Sequence, residues 1–316
     1  MKSQILTTVA VQAESTFAGS GTGTIYRVTG VRQFEPSFDS VLRTTKVSVW
    51  RQETGQKRAG YVFGGRLDVE GSPGNALRLL LSNLLCLKDP VLVEDPGNTT
   101  YTFRPKRSQP FVIESLKFYV AYESGPWETY SGCVITSLRC TTRGQNITNI
   151  SCDFMCASVQ SVDSDPVWTI ATESLNSIVA SDAVLTIDAV PVTGMIELSC
   201  EINLPRDKTR MSRDGVAGRF SSMGPAVITG AFNEYFGSEG DLPQAVRDGS
   251  EVALKATLNA GSGTLLEFDF PRVAPQSGQP NPLGQADVTS QIPFKVLADA
   301  DLDEGSETHV RFIHPT

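Results

Sequence analysis

The residues of this chain that could do chemistry are few and poorly spaced for it. The two histidines, His309 and His314, fall in the last eight positions. A Ser–His or Cys–His nucleophilic pair would therefore need the C-terminal segment to fold back over the body. A Cys/His zinc set lacks its imidazoles for the same reason. Six cysteines are present (Cys86, Cys133, Cys140, Cys152, Cys156 and Cys200), with no CxxC among them. No phosphate-binding Walker loop, GxSxG elbow or HExxH helix occurs. Gly19-Ser20-Gly21-Thr22-Gly23 suggests a phosphate cradle, but it lacks GxGxxG spacing and no helical pattern follows. It reads as part of a flexible N-terminal arm. The 35 acidic residues supply chance carboxylate pairs, and a solvated acidic surface explains them. The sequence thus predicts no enzyme, no catalytic residue, no cofactor and no metal.

The cysteines allow one geometric test. Residues 133–141 and 147–158 read as strands around the turn Arg143-Gly144-Gln145-Asn146. A two-residue turn at Gly144-Gln145 puts Cys133 opposite Cys156 and Cys152 opposite Ser137. Those three thiols then share one sheet face, with Cys140 on the other. A cross-strand disulfide or a soft-metal site would use such a cluster; reduced thiols packed as small apolar groups need nothing further.

What must position these residues is a β scaffold. The chain has 316 residues, enough for two domains, and 40% of them are hydrophobic, enough for a core. No run approaches the ~20 apolar residues of a membrane span, and the start, Met1-Lys2-Ser3-Gln4-Ile5-Leu6, has no apolar leader region. Period-2 patterns predict strands at 44–50, 111–122, 133–141, 147–158, 183–190, 195–203, 226–236, 251–258, 264–270 and 291–297. Two helices interrupt them. The first runs from Ala76 to Leu87, with Ser72 as N-cap and Pro73 at the first helical position; the second runs from Asp241 to Asp248.

The helices expose a repeat. Leu67-Asp68-Val69-Glu70-Gly71-Ser72-Pro73-Gly74 precedes the first, and Asn233-Glu234-Tyr235-Phe236-Gly237-Ser238-Glu239-Gly240 precedes the second. A charged loop comes before each strand, and Cys152-Asp153-Phe154-Met155 and Ile292-Pro293-Phe294-Lys295 close the two sets. This order predicts a first unit over 1–160 with an N-terminal arm, a linker over 161–182, and a second unit over 183–316 with a C-terminal arm.

Charge divides along the same line. The net charge is −8, which disfavours wrapping nucleic acid. Residues 1–160 carry 17 basic and 13 acidic side chains, and residues 161–316 carry 10 and 22. Complementary halves orient partners in an assembly. The candidate contact residues are basic loops, Arg51, Lys57 and Arg58 in the first half and Arg206, Lys208, Arg210 and Arg213 in the second. Their acidic counterpart is Asp299, Asp301, Asp303 and Glu304. Solvated hairpin tips would carry the same charges.

The segment Val9-Ala10-Val11-Gln12-Ala13-Glu14-Ser15-Thr16-Phe17-Ala18-Gly19 resembles the start of major tail tube proteins of long-tailed bacteriophages. So do the strand, Gly-Ser-x-Gly and helix at 66–87, and the hairpin from Tyr130-Ser131-Gly132-Cys133-Val134 to Ser151-Cys152-Asp153-Phe154. Gln291-Ile292-Pro293-Phe294 resembles the end of such a unit. The resemblance implies a mainly β fold: two tandem β-sandwich or barrel tube units, each with one flanking α-helix. It implies rings joined through inner sheets into a β-lined channel and stacked into the hollow tail tube through which DNA is delivered. A long loop between early strands would reach the adjacent ring, which maps onto Arg51–Gly60 and Arg206–Gly218. Two units per chain make the ring one of three subunits. The implied partners are the chain itself, the tape measure, terminator and tail-tip proteins, and DNA only as sliding cargo. The implied location is the virion tail, after assembly in the host bacterial cytoplasm. Competing readings are another tube-fold component, such as a terminator or secretion-tube protein, and a carbohydrate-binding β-sandwich adhesin using Trp50, Trp127 or Trp168.

Overall fold

The computed structural model describes residues 6–46, 53–72, 74–85, 91–95, 98–103, 115–123, 127–162, 169–173, 176–192, 195–205, 226–235, 250–261, 264–276, 280–281, 289–297 and 309–315. The first half contains β1 (Leu6–Glu14), β2 (Gly21–Arg27), β3 (Val31–Lys46), β4 (Glu53–Glu70), α1 (Asn75–Leu84), β5 (Val91–Asp95) and β6 (Asn98–Phe103). It continues with β7 (Leu116–Tyr122), β8 (Trp127–Arg143), β9 (Asn149–Cys156), β10 (Ser158–Val162) and β11 (Ile170–Ala171). The second half contains β12 (Ala183–Ile187), β13 (Val190–Pro191), β14 (Met195–Asn203), β15 (Val227–Tyr235) and β16 (Val252–Asn259). It ends with β17 (Leu265–Pro275), β18 (Pro280–Asn281), β19 (Thr289–Val296) and β20 (His309–Pro315). The protein is mainly β, as its alternating pattern predicts, with α1 the one α-helix among the described residues. The second predicted helix, Asp241–Asp248, lies outside them.

One sheet runs β11-β2-β1-β7-β8-β10, using the N-terminal part of β8. The C-terminal part of β8 enters a second sheet, β3-β4-β9-β8-β14-β15-β19-β17. There β17 also carries β16, β12 and β13 on one edge and β20, β6 and β5 on the other.

The pairings of the first half recur in the second. β1–β2, β1–β7, β3–β4, β4–β9, β7–β8, β8–β9 and β8–β10 have counterparts in β12–β13, β12–β16, β14–β15, β15–β19, β16–β17, β17–β19 and β17–β20. Irregularities recur too. The β7–β8 ladder slips between Leu116 and Phe118, and the β16–β17 ladder slips between Val252 and Leu254. A further correspondence is atomic. A Cβ on Gly65 would meet the Glu35 carbonyl at 2.4 Å and the Phe154 ring at 2.9 Å; one on Gly230 would meet the Ser199 carbonyl and the Phe294 ring, each at 2.3 Å. Glu35, Gly65 and Phe154 therefore correspond to Ser199, Gly230 and Phe294. This equivalence matches Leu67 with Phe232, both buried, rather than with Asn233 as the Gly-Ser-x-Gly spacing suggests.

Three expectations change. The N-terminal segment is no loose arm: β1 lies between β2 and β7, with Val9 and Val11 fully buried, and Gly19–Gly23 forms the turn and first residues of β2. Ser72 does not cap α1. The helix N-cap is Gly74, and Glu173 supplies the cap instead, accepting the Asn75 backbone N–H at 2.8 Å and the Asn75 Nδ2 group. A carboxylate there also opposes the positive end of the helix dipole.

The thiols change as well. Ile135 pairs with Phe154, but after a bulge Ser137 pairs with Asp153, so Cys152 faces Leu138 rather than Ser137. A one-residue insertion restores the inward direction one position later. Cys140 therefore enters the same core cluster as Cys133, Cys152, Cys156 and Cys200, contrary to its predicted outward face. All five are free and buried. Burial pushes Cys140 up to about 12 and raises Cys133, Cys152 and Cys200 well above an ordinary thiol. The thiolate that a metal or an oxidant needs is thereby suppressed. At the bulge, Asn83 of α1 accepts the Ile135 N–H at 2.7 Å. The helix thus satisfies the donor that the ladder drops where β8 passes from one sheet to the other.

Candidate assembly surface

The second sheet buries one face and leaves the other polar. On β4, Leu67 and Val69 enter the core while Arg66 and Asp68 point away, as period 2 requires. Register carries this across seven strands. Gln33, Asp68, Ser151, Arg139, Glu201, Thr229 and Lys295 form one continuous row from β3 to β19. Glu35, Arg66, Asp153, Ser137 and Asn203 form a parallel row. Charges alternate in sign along both. Arg66 Nε lies 3.0 Å from Asp68 Oδ1, and its guanidinium is pushed up first by Asp68, with Asp153 and Glu35 adding to the effect. Ser137 Oγ donates to Asp153 Oδ2 at 2.8 Å. Arg143 lies 3.8 Å from Glu197, which also accepts from Asn233 Nδ2 at 3.1 Å. Exposed pairs like these add little stability. Their effect is a broad, hydrated face with no single-sign field.

The sheet is continuous between the halves of the chain. Ser137–Arg143 of β8 pairs with Glu197–Asn203 of β14, and Cys140 faces Cys200. Leu204 N–H donates to the Thr136 carbonyl at 2.9 Å, which makes 136/204, 138/202 and 140/200 the hydrogen-bonded pairs of this seam. At the far end, β3 and β4 run on as a two-stranded ribbon. β9 accompanies β4 only over Phe63–Glu70, whereas the β3–β4 ladder continues to Lys46↔Glu53. At ~3.3 Å per residue the ribbon extends some 25 Å past β9, with a register shift at Val41/Leu42 that adds twist.

A family model described as phage tail tube protein matches residues 7–296. The chain belongs to the phage tail tube protein family. A comparison with curated proteins gives no match. As a tail tube protein it is a structural component of the bacteriophage virion tail; the family is one of proteins that assemble with themselves and with other tail proteins, and it is not an enzyme family. No helix among the described residues is long and apolar enough to cross a membrane.

Of the tail tube protein's predicted contact residues, Lys57 and Arg58 fall in the ribbon, where Lys57 pairs with Arg43 and Arg58 with Leu42. The predicted loop Arg51–Gly60 is thus largely strand β4. Arg51, Arg206, Lys208, Arg210 and Arg213 lie outside the described residues, as do Asp299, Asp301, Asp303 and Glu304. The polar rows escaped sequence reasoning because they depend on inter-strand register; each strand's alternation was visible, but not which rows align.

A buried carboxylate holds the β1–β2 corner. Glu14 is 2% exposed and accepts from Ser115 Oγ at 2.5 Å, from the Gly132 N–H at 3.0 Å and from the Ala18 N–H at 3.1 Å. Desolvation raises its pKa above 4.5 despite these bonds and nearby Lys117. Gly132 has φ +67°, and a Cβ there would meet Ala157 at 2.8 Å, so glycine is needed beside this carboxylate.

Proposed function

We propose that the protein polymerises into the hollow tail tube through which phage DNA is delivered, as stacked rings of three copies. Each copy supplies two tube units, residues 1–160 and 183–316 joined by 161–182, so a ring has six units in pseudo-six-fold array. The observation that carries this reading is the recurrence of seven strand pairings in the two halves, with β8–β14 joining them edge to edge. In a ring of alternating units, the more basic half of one copy abuts the more acidic half of the next.

The polar rows would line the channel, where mixed and mutually satisfied charges let DNA pass without adhering. The β3–β4 ribbon, with Lys57 and Arg58, would reach the adjacent ring together with Arg51, and Arg206, Lys208, Arg210 and Arg213 would do the same from the second unit. Asp299, Asp301, Asp303 and Glu304 would receive them. The protein would act without catalysis or a cofactor, be assembled in the host cytoplasm, and meet the tape measure, terminator and tail tip at the tube's interior and ends. Electron microscopy of the concentrated protein tests this: hollow tubes are expected, and particles that stay monodisperse at every concentration would contradict it.

A further inference from the structure

Among the described residues the sheet ends on two open edges, and the seam inside it says what fits them. Among the described residues β3 pairs with β4 alone, although its counterpart β14 pairs with both β15 and β8. Among the same residues β18 pairs with β19 alone. Its place in the second unit is that of the C-terminal part of β8. The β17–β19 register at Pro275↔Phe294 corresponds to Ile135↔Phe154. Past a slip of one residue, Pro280↔Ser290 and Asn281↔Thr289 correspond to Cys140↔Ile150 and Thr141↔Asn149. The edge that β8 gives to β14 within the chain is therefore left open on β18, and the edge that β14 gives to β8 is left open on β3.

We infer that the β3 edge of one copy seats on the β18 edge of the next, in the register of the internal β8–β14 seam. This rests on the ring reading above and names the surface that closes it. Because Cys200 corresponds to Pro36 and Ser199 to Glu35, the internal pairs Cys140↔Cys200 and Thr141↔Ser199 become Pro280↔Pro36 and Asn281↔Glu35. The contact is head-to-tail and heterologous, and it closes a ring where the rotation permits.

The prolines agree with this assignment. Cys140 and Cys200 form a hydrogen-bonded pair, so their N–H groups point at each other, away from β9 and β15. The equivalent N–H positions at 280 and 36 point away from β19 and β4, where a proline removes no bond of its own copy. Proline is tolerated at sheet edges for that reason, and it blunts an edge against indiscriminate pairing. Between copies, that one position lacks both ladder bonds, so a ring would alternate fully bonded seams within copies and interrupted seams between them.

Cross-linking in assembled tubes tests the register. Glu35→Cys with Asn281→Cys retains both prolines and places two thiols at a non-hydrogen-bonded pair, with Cα atoms ~4.5 Å apart, within disulfide reach. Mild oxidation should convert most subunits to covalent dimers and trimers on a non-reducing gel. Pro36→Cys with Asn281→Cys, displaced by one residue onto the other face, should give at least ten-fold less. Tubes that form but cross-link no better with the first pair than with the second would overturn the seam. Should the first pair fail to assemble, Pro36→Cys with Pro280→Cys tests the same register at the adjacent position. If wild-type protein forms neither rings nor tubes, the ring reading fails instead.

Discussion

Cys140 and Cys200 face each other across the ladder where β8 of the first half meets β14 of the second, and both are buried. A core-lined, hydrogen-bonded junction of this kind makes the two halves one sheet. Among the described residues it also leaves that sheet with matching open edges, β3 at one end and β18 at the other. Unpaired edges invite uncontrolled association unless a defined partner covers them. In a protein that polymerises as proposed, a neighbouring copy would cover these edges, and the internal seam is the pattern we infer for that contact.

The two halves should fail alike when the same contact is broken. In Gly65→Ala and Gly230→Ala the new methyl group meets a backbone carbonyl at 2.4 and 2.3 Å, beneath Phe154 and Phe294 respectively. Carbonyls in a ladder cannot move aside, so each variant should lose about 1–3 kcal/mol in denaturant unfolding. A large loss at one glycine with none at the other would contradict the equivalence.

Asn83 should be worth more than its place on an apolar helix suggests. Asn83→Ala leaves the Ile135 N–H buried without its acceptor, at a cost of about 1–3 kcal/mol. Asn83→Asp keeps an acceptor and should recover part of the loss. Thermal unfolding of the three proteins measures both effects, and an unchanged midpoint in Asn83→Ala would show that the bulge does not depend on the helix.

Much of the β scaffold was legible in the sequence, for a physical reason: β14, β15, β16 and β19 are amphipathic strands whose period 2 survives any packing. What was illegible depended on contacts distant in sequence. The Ile135–Ser137 bulge is satisfied by Asn83, 52 residues away, and nothing local marks it; without it, the cysteine faces come out wrong. Glu173 capping α1 is equally remote from Asn75. The arm at Gly19–Gly23 looked flexible for its glycines, yet Gln12 Nε2 donates to the Gly23 carbonyl at 2.7 Å and fixes that segment to β1.

Glu14 should make stability fall as pH rises. Its folded pKa is raised above 4.5, so the native state holds a proton that the unfolded chain releases more readily. The contribution is full below 4.5 and is lost as pH climbs through the folded value. Glu14→Gln should flatten this decline in denaturant unfolding measured across that window. An identical slope in both proteins would assign the effect elsewhere.

Reversing Arg206, Lys208, Arg210 and Arg213 to Glu should leave the subunit folded, with unchanged circular dichroism, and shorten or abolish tubes by disrupting ring stacking. Tubes of normal length from this variant would remove those residues from the inter-ring contact.

The most direct measurement is two-dimensional averaging of end-on views of tubes or rings by electron microscopy, without imposed symmetry. A hollow ring with six lobes in two alternating classes is expected, three-fold symmetric, with one copy to each pair of lobes. Six identical lobes with one copy in each, or no central channel, would contradict it.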